Sequence, residues 1–306
     1  MSKFITISVP SRPRTAALAL MLLFFAPPLA AVDGVIEINQ VRALAGGVTP
    51  GDTPGFPVIL DQPGSYRLTG NLIVDDVETD AIDVLAQNVT LDLNGFSILG
   101  PISCTFSEGD LTCTPDSSTS SLGDGVKVRG SNFAIRNGVI RGMGRAGIIN
   151  FSSNPPPSTV KIENLRVLEN GAAGIGFSGT PEVTITGSTI ARNKDQGIWI
   201  SDAGSIRSST ISENGGSGII VNQSKSALLR DNLIFRNGTH GIFFNGDSIG
   251  LVLGNEITEN GTTGLRASAS SGTAYGQNVF QGNGGTVTGT AVEIATNVCN
   301  GNTVCP

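Results

Sequence analysis

The pair Gly followed by Ile, Val or Leu recurs at Gly125-Val126, Gly147-Ile148, Gly174-Ile175, Gly197-Ile198, Gly218-Ile219, Gly241-Ile242 and Gly264-Leu265, at intervals of 22, 27, 23, 21, 23 and 23 residues. An asparagine keeps the same beat at Asn170, Asn193, Asn214, Asn237, Asn260 and Asn283. Three residues before each comes an apolar side chain: Val167, Ile190, Ile211, Ile234, Ile257 and Phe280. A further column, five earlier, holds Ile162, Ile185, Ile206, Leu229, Val252 and Tyr275. Each unit reads as three short strands parted by turns. A unit of this length with no helical stretch cannot bury its apolar side alone, so the units must stack. Stacked coils put parallel strands about 4.8 Å apart around one continuous core.

Motifs such as "NEITENGTTGLRAS" and "STISENGGSGIIV" resemble those of right-handed parallel β-helix proteins of the pectate-lyase-like superfamily, over roughly residues 57–298. The handedness follows from this resemblance. The expected fold is therefore all-β: a right-handed solenoid of coils of about 22 residues with a short N-terminal cap. The expected organisation is a signal peptide over 1–31, an N-terminal cap over 32–56, the β-helix over 57–298 and a C-terminal cap over 299–306. Open ends of a stack expose strand edges that need covering; "VIEINQVRALAGG" reads as a short amphipathic cap at one end. The Cys299/Cys305 loop is expected to close the other. Two insertions interrupt the beat: Pro101 to Gly123, expected as an outward loop, and Phe151 to Ser158.

The first residues are basic and acid-free, then apolar from Ala16 to Ala26, then "PPLAA". That order is a secretory signal, and the apolar run is too short to span a bilayer. Cleavage near Ala31 would leave 16 basic against 25 acidic residues, a formal −9. So acidic a chain is a poor partner for nucleic acid or anionic lipid. The expected location is secreted, periplasmic or cell-surface, with no stable membrane anchor after cleavage. Four cysteines fall in two close pairs, Cys104/Cys113 and Cys299/Cys305. Three connectivities exist, and local pairing into two structural disulfides is expected. Neither pair has zinc or thioredoxin spacing.

The asparagines read as an inward ladder, because Asn tolerates left-handed backbone and its amide bonds to the same amide one coil away. Sequons at Asn237 and Asn260 offer glycan attachment as the competing reading, but Asn193 and Asn214 keep the beat without one. Strand alternation turns Ile198, Ile200, Ile219, Val221, Ile242 and Phe244 inward. Trp199, Ile220 and Phe243 then face outward in adjacent coils, with Gly176 and Ile149 before them and Lys127 and Arg266 at either end of the column. Trp199, Phe243, Lys127 and Arg266 are thus the expected ligand-binding residues.

The single histidine, His240, is expected in an outward, variable turn where other coils carry Asp124, Ala146, Ala173, Gln196, Ser217 and Thr263. Polygalacturonases of the resembled superfamily place paired aspartates before one such strand and His-Gly before the next coil's. His240-Gly241 matches the second element, but the preceding coil reads "GGSGIIV" and the nearest acid is Asp195, two coils back. Of their Arg-x-Lys motif only Arg266 is present. The resemblance thus carries His240 and Asp195 as acid–base candidates. For a lyase it implies Ca²⁺ held by acids such as Asp195, Asp202 and Asp247, with Lys194 abstracting the proton. One histidine and three methionines speak against copper handling. No resident metal or cofactor is otherwise expected. The expected function is a platform binding polysaccharide or another extracellular macromolecule. The alternative is a lyase, glycoside hydrolase or epimerase acting on acidic polysaccharide.

Overall fold

The computed structural model describes residues 34–107, 109–115, 122–150, 156–180, 182–303 and 305. The expected signal peptide lies outside them, as do parts of both insertions. The described chain is a right-handed parallel β-solenoid of about ten turns with little helix. The apolar columns set its register. Val167, Ile190, Ile211, Ile234, Ile257 and Phe280 pair coil to coil along one strand of the unit. Ile162, Ile185, Ile206, Leu229, Val252 and Tyr275 do so along another. Nearly all are fully buried, and continuous contact between like-shaped side chains is what closes the core.

The glycine of each Gly-Ile pair has a packing cause. A Cβ at Gly197 would lie 2.7 Å from the Asn214 amide and 2.8 Å from Ile211, both in the next coil. Only a residue without a side chain lets the corner close that tightly.

At this corner the asparagines form a chain of amides. Asn170, Asn193, Asn214 and Asn237 each donate from Nδ2 to Oδ1 of the next, at 2.8–2.9 Å, and Asn260 continues to Asn283. Each Oδ1 also accepts the preceding asparagine's backbone N–H, and Nδ2 reaches a carbonyl such as Val167 O or Ile190 O. Asn237 and Asn260 are 1% exposed, inside the corner rather than at the surface. The left-handed backbone falls one residue earlier than expected, at Glu169, Arg192, Glu213, Arg236 and Glu259, with φ of 53–55°. That residue turns the chain, which leaves the following amide pointing inward. A second ladder, not anticipated, runs through Asn232, Asn255, Asn278 and Asn297 at another corner.

The N-terminal segment is part of the sheet as well as a cover for its edge. Ile36–Ile38 pairs in parallel with Tyr66–Leu68, so the sheet begins before residue 57. The helix Gln40–Ala45 buries only Ala43, leaving Val41 and Leu44 exposed. It covers the edge through Gln40, whose side chain bonds both backbone groups of Ile73. At the far end Cys299 bonds to Cys305. The described part of the Pro101–Gly123 insertion is not a loop projecting outward: Ser103–Ser107 and Asp110–Thr114 form an antiparallel hairpin, stapled by Cys104–Cys113. It lies back along the asparagine corner, with the Cys104 sulfur 3.5 Å from Glu169 O and Leu111 against Gly215. The buried Glu169 carboxylate beneath it pairs with Arg141 and Arg192.

Candidate functional site: an aromatic groove with a cationic end

The outward column follows the register Asp83, Lys127, Ile149, Gly176, Trp199, Ile220, Phe243, Arg266, Thr288. The structure therefore brings Trp199, Phe243, Lys127 and Arg266 onto one face. Trp199 and Phe243, two coils apart, are separated by roughly 10 Å of strand spacing.

Trp199, Ile220 and Phe243 are half-buried and line a groove of about 310 Å³ with Ile149 and Gly176. Gly176 makes the depression. A Cβ there would sit 3.6 Å from Ile149 and 3.9 Å from Trp199, so the missing side chain is the gap between them. Gln196, Asn222 and Asn245 form the polar rim, and Asn245 Nδ2 donates to Asn222 Oδ1 at 2.8 Å. Among the described residues, neither the hairpin nor the N-terminal segment lines the groove.

Arg266 closes one end. Its guanidinium lies 4.8 Å from the Phe243 ring centroid, a cation–π contact. His240, contrary to the outward turn expected for it, opens the strand His240–Asn245 and is 7% exposed. The column it occupies is half-buried or buried in every coil, at Asp124, Ala146, Ala173, Gln196, Ser217 and Thr263 as at His240. Its ring packs against Phe243 at 5.3 Å between centroids. Arg266 Nη1 is 3.2 Å from His240 Nε2, and Thr263 Oγ1 is 2.6 Å from Nδ1. Arginine only donates, so Nε2 is the acceptor and Nδ1 carries the proton given to Thr263. Burial, then the Arg266 charge, lowers the His240 pKa from its ordinary 6.5, which keeps the ring neutral at pH 7.

The other end is polar and internally paired. Lys127 Nζ is 3.2 Å from Asp80 Oδ2, whose second oxygen accepts the Asp124 N–H at 2.7 Å. Arg129 grips Asp83 through three hydrogen bonds. The fully buried Asp124 is held by Arg145 and by the Ala146 N–H. Burial nonetheless leaves its carboxyl above the ordinary range. Residues 80 and 145 were invisible as site residues because they pair across coils 21 to 47 positions apart.

Asp195 is exposed on a turn, its backbone bonded to Ala172 and Gly216, and stands two coils from His240. The structure does not bring the two together. Among the described residues no group of three or more His, Cys, Asp or Glu is placed to hold a metal ion, so Asp195, Asp202 and Asp247 do not come together as one donor set.

A family model described as "Right handed beta helix region" matches residues 71–205 and 156–304. No curated protein matches the chain in sequence. Among solved structures, pectate lyase Pel9A aligns with a TM-score of 0.50 at 15% identity, over 88% of this chain and 80% of that one. The enzymatically active domain of bacteriophage CBA120 tailspike protein 2 aligns with a TM-score of 0.51 at 12% identity, over 78% of this chain and 41% of that one. The A-module of the Azotobacter vinelandii mannuronan C-5 epimerase AlgE6 gives 0.47 at 13% identity, over 76% of this chain and 80% of that one. At such identities the likeness is one of fold.

Proposed function

Because the chain belongs to the right-handed β-helix family, we propose that it is an extracytoplasmic binding protein whose aromatic groove holds polysaccharide. The observation that carries this reading is the groove itself. Trp199 and Phe243 present ring area about one disaccharide apart, and a rim of amides supplies hydrogen bonds at the edges. Apolar ring faces of sugars suit aromatic side chains, and hydroxyls at their edges suit amide partners. A half-buried aromatic stripe in an otherwise polar sheet is a surface for association rather than for folding. The two disulfides support a location outside the cytoplasm. Pectate lyase, a polysaccharide enzyme by its name, shares the fold. Among the described residues no carboxylate lines this groove, which favours binding over the paired-carboxylate chemistry of a glycosidase.

The test is a polysaccharide panel probed with wild-type protein, Trp199→Ala and Phe243→Ala. Each substitution is expected to weaken capture of the bound polysaccharide at least about tenfold, the equivalent of 1.4 kcal/mol, with little change in melting temperature. Undiminished capture by the double variant would overturn the reading, and so would release of reducing ends or unsaturated uronate by the wild type.

A further inference from the structure

Arg266 stands apart from the other cations along this face. Lys127, Arg129 and Arg145 are each matched by an aspartate. Arg266 is exposed, and among the described residues no carboxylate pairs with it; its partners are the Phe243 ring and the His240 lone pair. With His240, Thr262, Thr263, Ser268 and Thr288 it lines an open cleft of about 550 Å³ whose lining, among the described residues, holds no acid. A fixed guanidinium, an imidazole and several hydroxyls together are the donor set for an anion.

We propose that Arg266 and His240 form an anion site in which capture of a charged group on a glycan is coupled to uptake of one proton by His240. The proposal rests on the polysaccharide reading of the adjoining groove and assigns that site a ligand charge and a pH response.

The groups around the ring define the coupling. From its own coil His240 meets Phe243, and from the following coil Thr263 and Arg266. The preceding coil meets it through the Gly218 N–H, which donates to the His240 carbonyl, and the neutral Ser217 beside that glycine shares a hydrogen bond with Thr239. Arg266 is the charged group that bears on it. In the free protein the Nε2 lone pair is spent on Arg266, and the facing guanidinium opposes a second positive charge. A carboxylate or sulfate on Arg266 cancels that opposition. Nη1 then turns to the anion, Nε2 takes a proton from solvent and donates it to the same anion, and Nδ1–H stays on Thr263. Linkage requires the affinity to rise as pH falls below the ordinary histidine range. Carboxylates of glycans protonate only near pH 3–4, leaving the window between clear.

The experiment is titration calorimetry at pH 5 to 8, in two buffers of different ionisation enthalpy, with dextran sulfate, oligogalacturonate and plain dextran. Sulfate does not titrate in this range, so any proton taken up with dextran sulfate belongs to the protein. Affinity for dextran sulfate or oligogalacturonate is expected to be several-fold higher at pH 5 than at pH 8, up to the roughly tenfold limit that a pKa difference of one between free and bound states sets. The response of each ligand tells sulfate from carboxylate. His240→Gln, whose amide oxygen still accepts from Arg266, should bind with no pH dependence and no proton uptake. Arg266→Gln should lose binding of the anionic probes. Equal affinity of both probes at pH 5 and pH 8, or a pH response surviving in His240→Gln, overturns the proposal. Trp199→Ala separates the two readings. If it leaves glycan capture intact while proton-linked anion binding persists, the platform fails and this site stands; if groove binding depends on Trp199 but shows no proton linkage, the reverse holds.

Discussion

Asn237 Nδ2 donates to Asn260 Oδ1 at 2.9 Å across one coil, while the Asn237 Oδ1 receives both the Nδ2 and the backbone N–H of Asn214. One buried amide therefore satisfies polar groups in three successive coils. Removing it strands donors in a buried corner.

Asn237→Ala is accordingly expected to lower unfolding free energy by about 1–3 kcal/mol, the cost of leaving buried polar groups unpaired. Asn245→Ala, which breaks the similar but exposed bond to Asn222, should change stability by no more than about 0.5 kcal/mol. Urea denaturation of both variants checks the contrast. Equal effects would mean that the ladder is no more buried than the surface pair.

His240 gives stability a slope in pH. Its folded-state pKa lies below the ordinary 6.5 because of burial and then Arg266. Between the folded and unfolded values the unfolded chain binds more protons, so stability rises with pH there. Stability contributed by neutral His240 is thus present above about pH 6.5 and is lost as pH falls through the folded-state value. Chemical denaturation of wild type and His240→Gln across pH 5–8, without ligand, should show a steeper decline for the wild type on acidification.

Gly176 separates a folding effect from a binding effect. Its added Cβ meets only ordinary contacts at 3.6–3.9 Å, and glycine in a strand is entropically costly. Gly176→Ala should therefore leave stability unchanged or raise it by up to about 1 kcal/mol. Gly176→Leu fills the gap between Ile149 and Trp199 and should reduce polysaccharide capture while the protein remains folded. Capture undisturbed by leucine would place the ligand elsewhere.

The hairpin staple is local. Cys104 and Cys113 close a loop of sequence separation 9, and in a chain-entropy account such a closure contributes about 2–3 kcal/mol. Replacing both by Ser should lower the melting temperature and expose the Glu169 corner, seen as faster amide exchange at residues 103–114. Groove binding should be unaffected, since no described hairpin residue lines it.

What was legible in the sequence is whatever a period can carry. A beat of 21 to 27 residues combined with strand alternation placed Ile190, Ile211, Ile234 and Ile257 inward and aligned Trp199, Ile220 and Phe243 outward, because stacked coils repeat the same contacts. The amides at Asn232, Asn255 and Asn278 kept a beat of their own, 23 residues apart, and were readable by the same logic. The left-handed residue lies one position before each asparagine of the first ladder, a difference that periodicity does not resolve because it marks columns without saying which member bends the backbone. Tertiary structure alone decided the rest. Arg266 met His240 and the Phe243 ring, Lys127 met Asp80, and the hairpin folded back onto Glu169. Such choices turn on side-chain reach, burial and the charges of neighbouring coils. None of these is periodic, so no spacing along the chain encodes them.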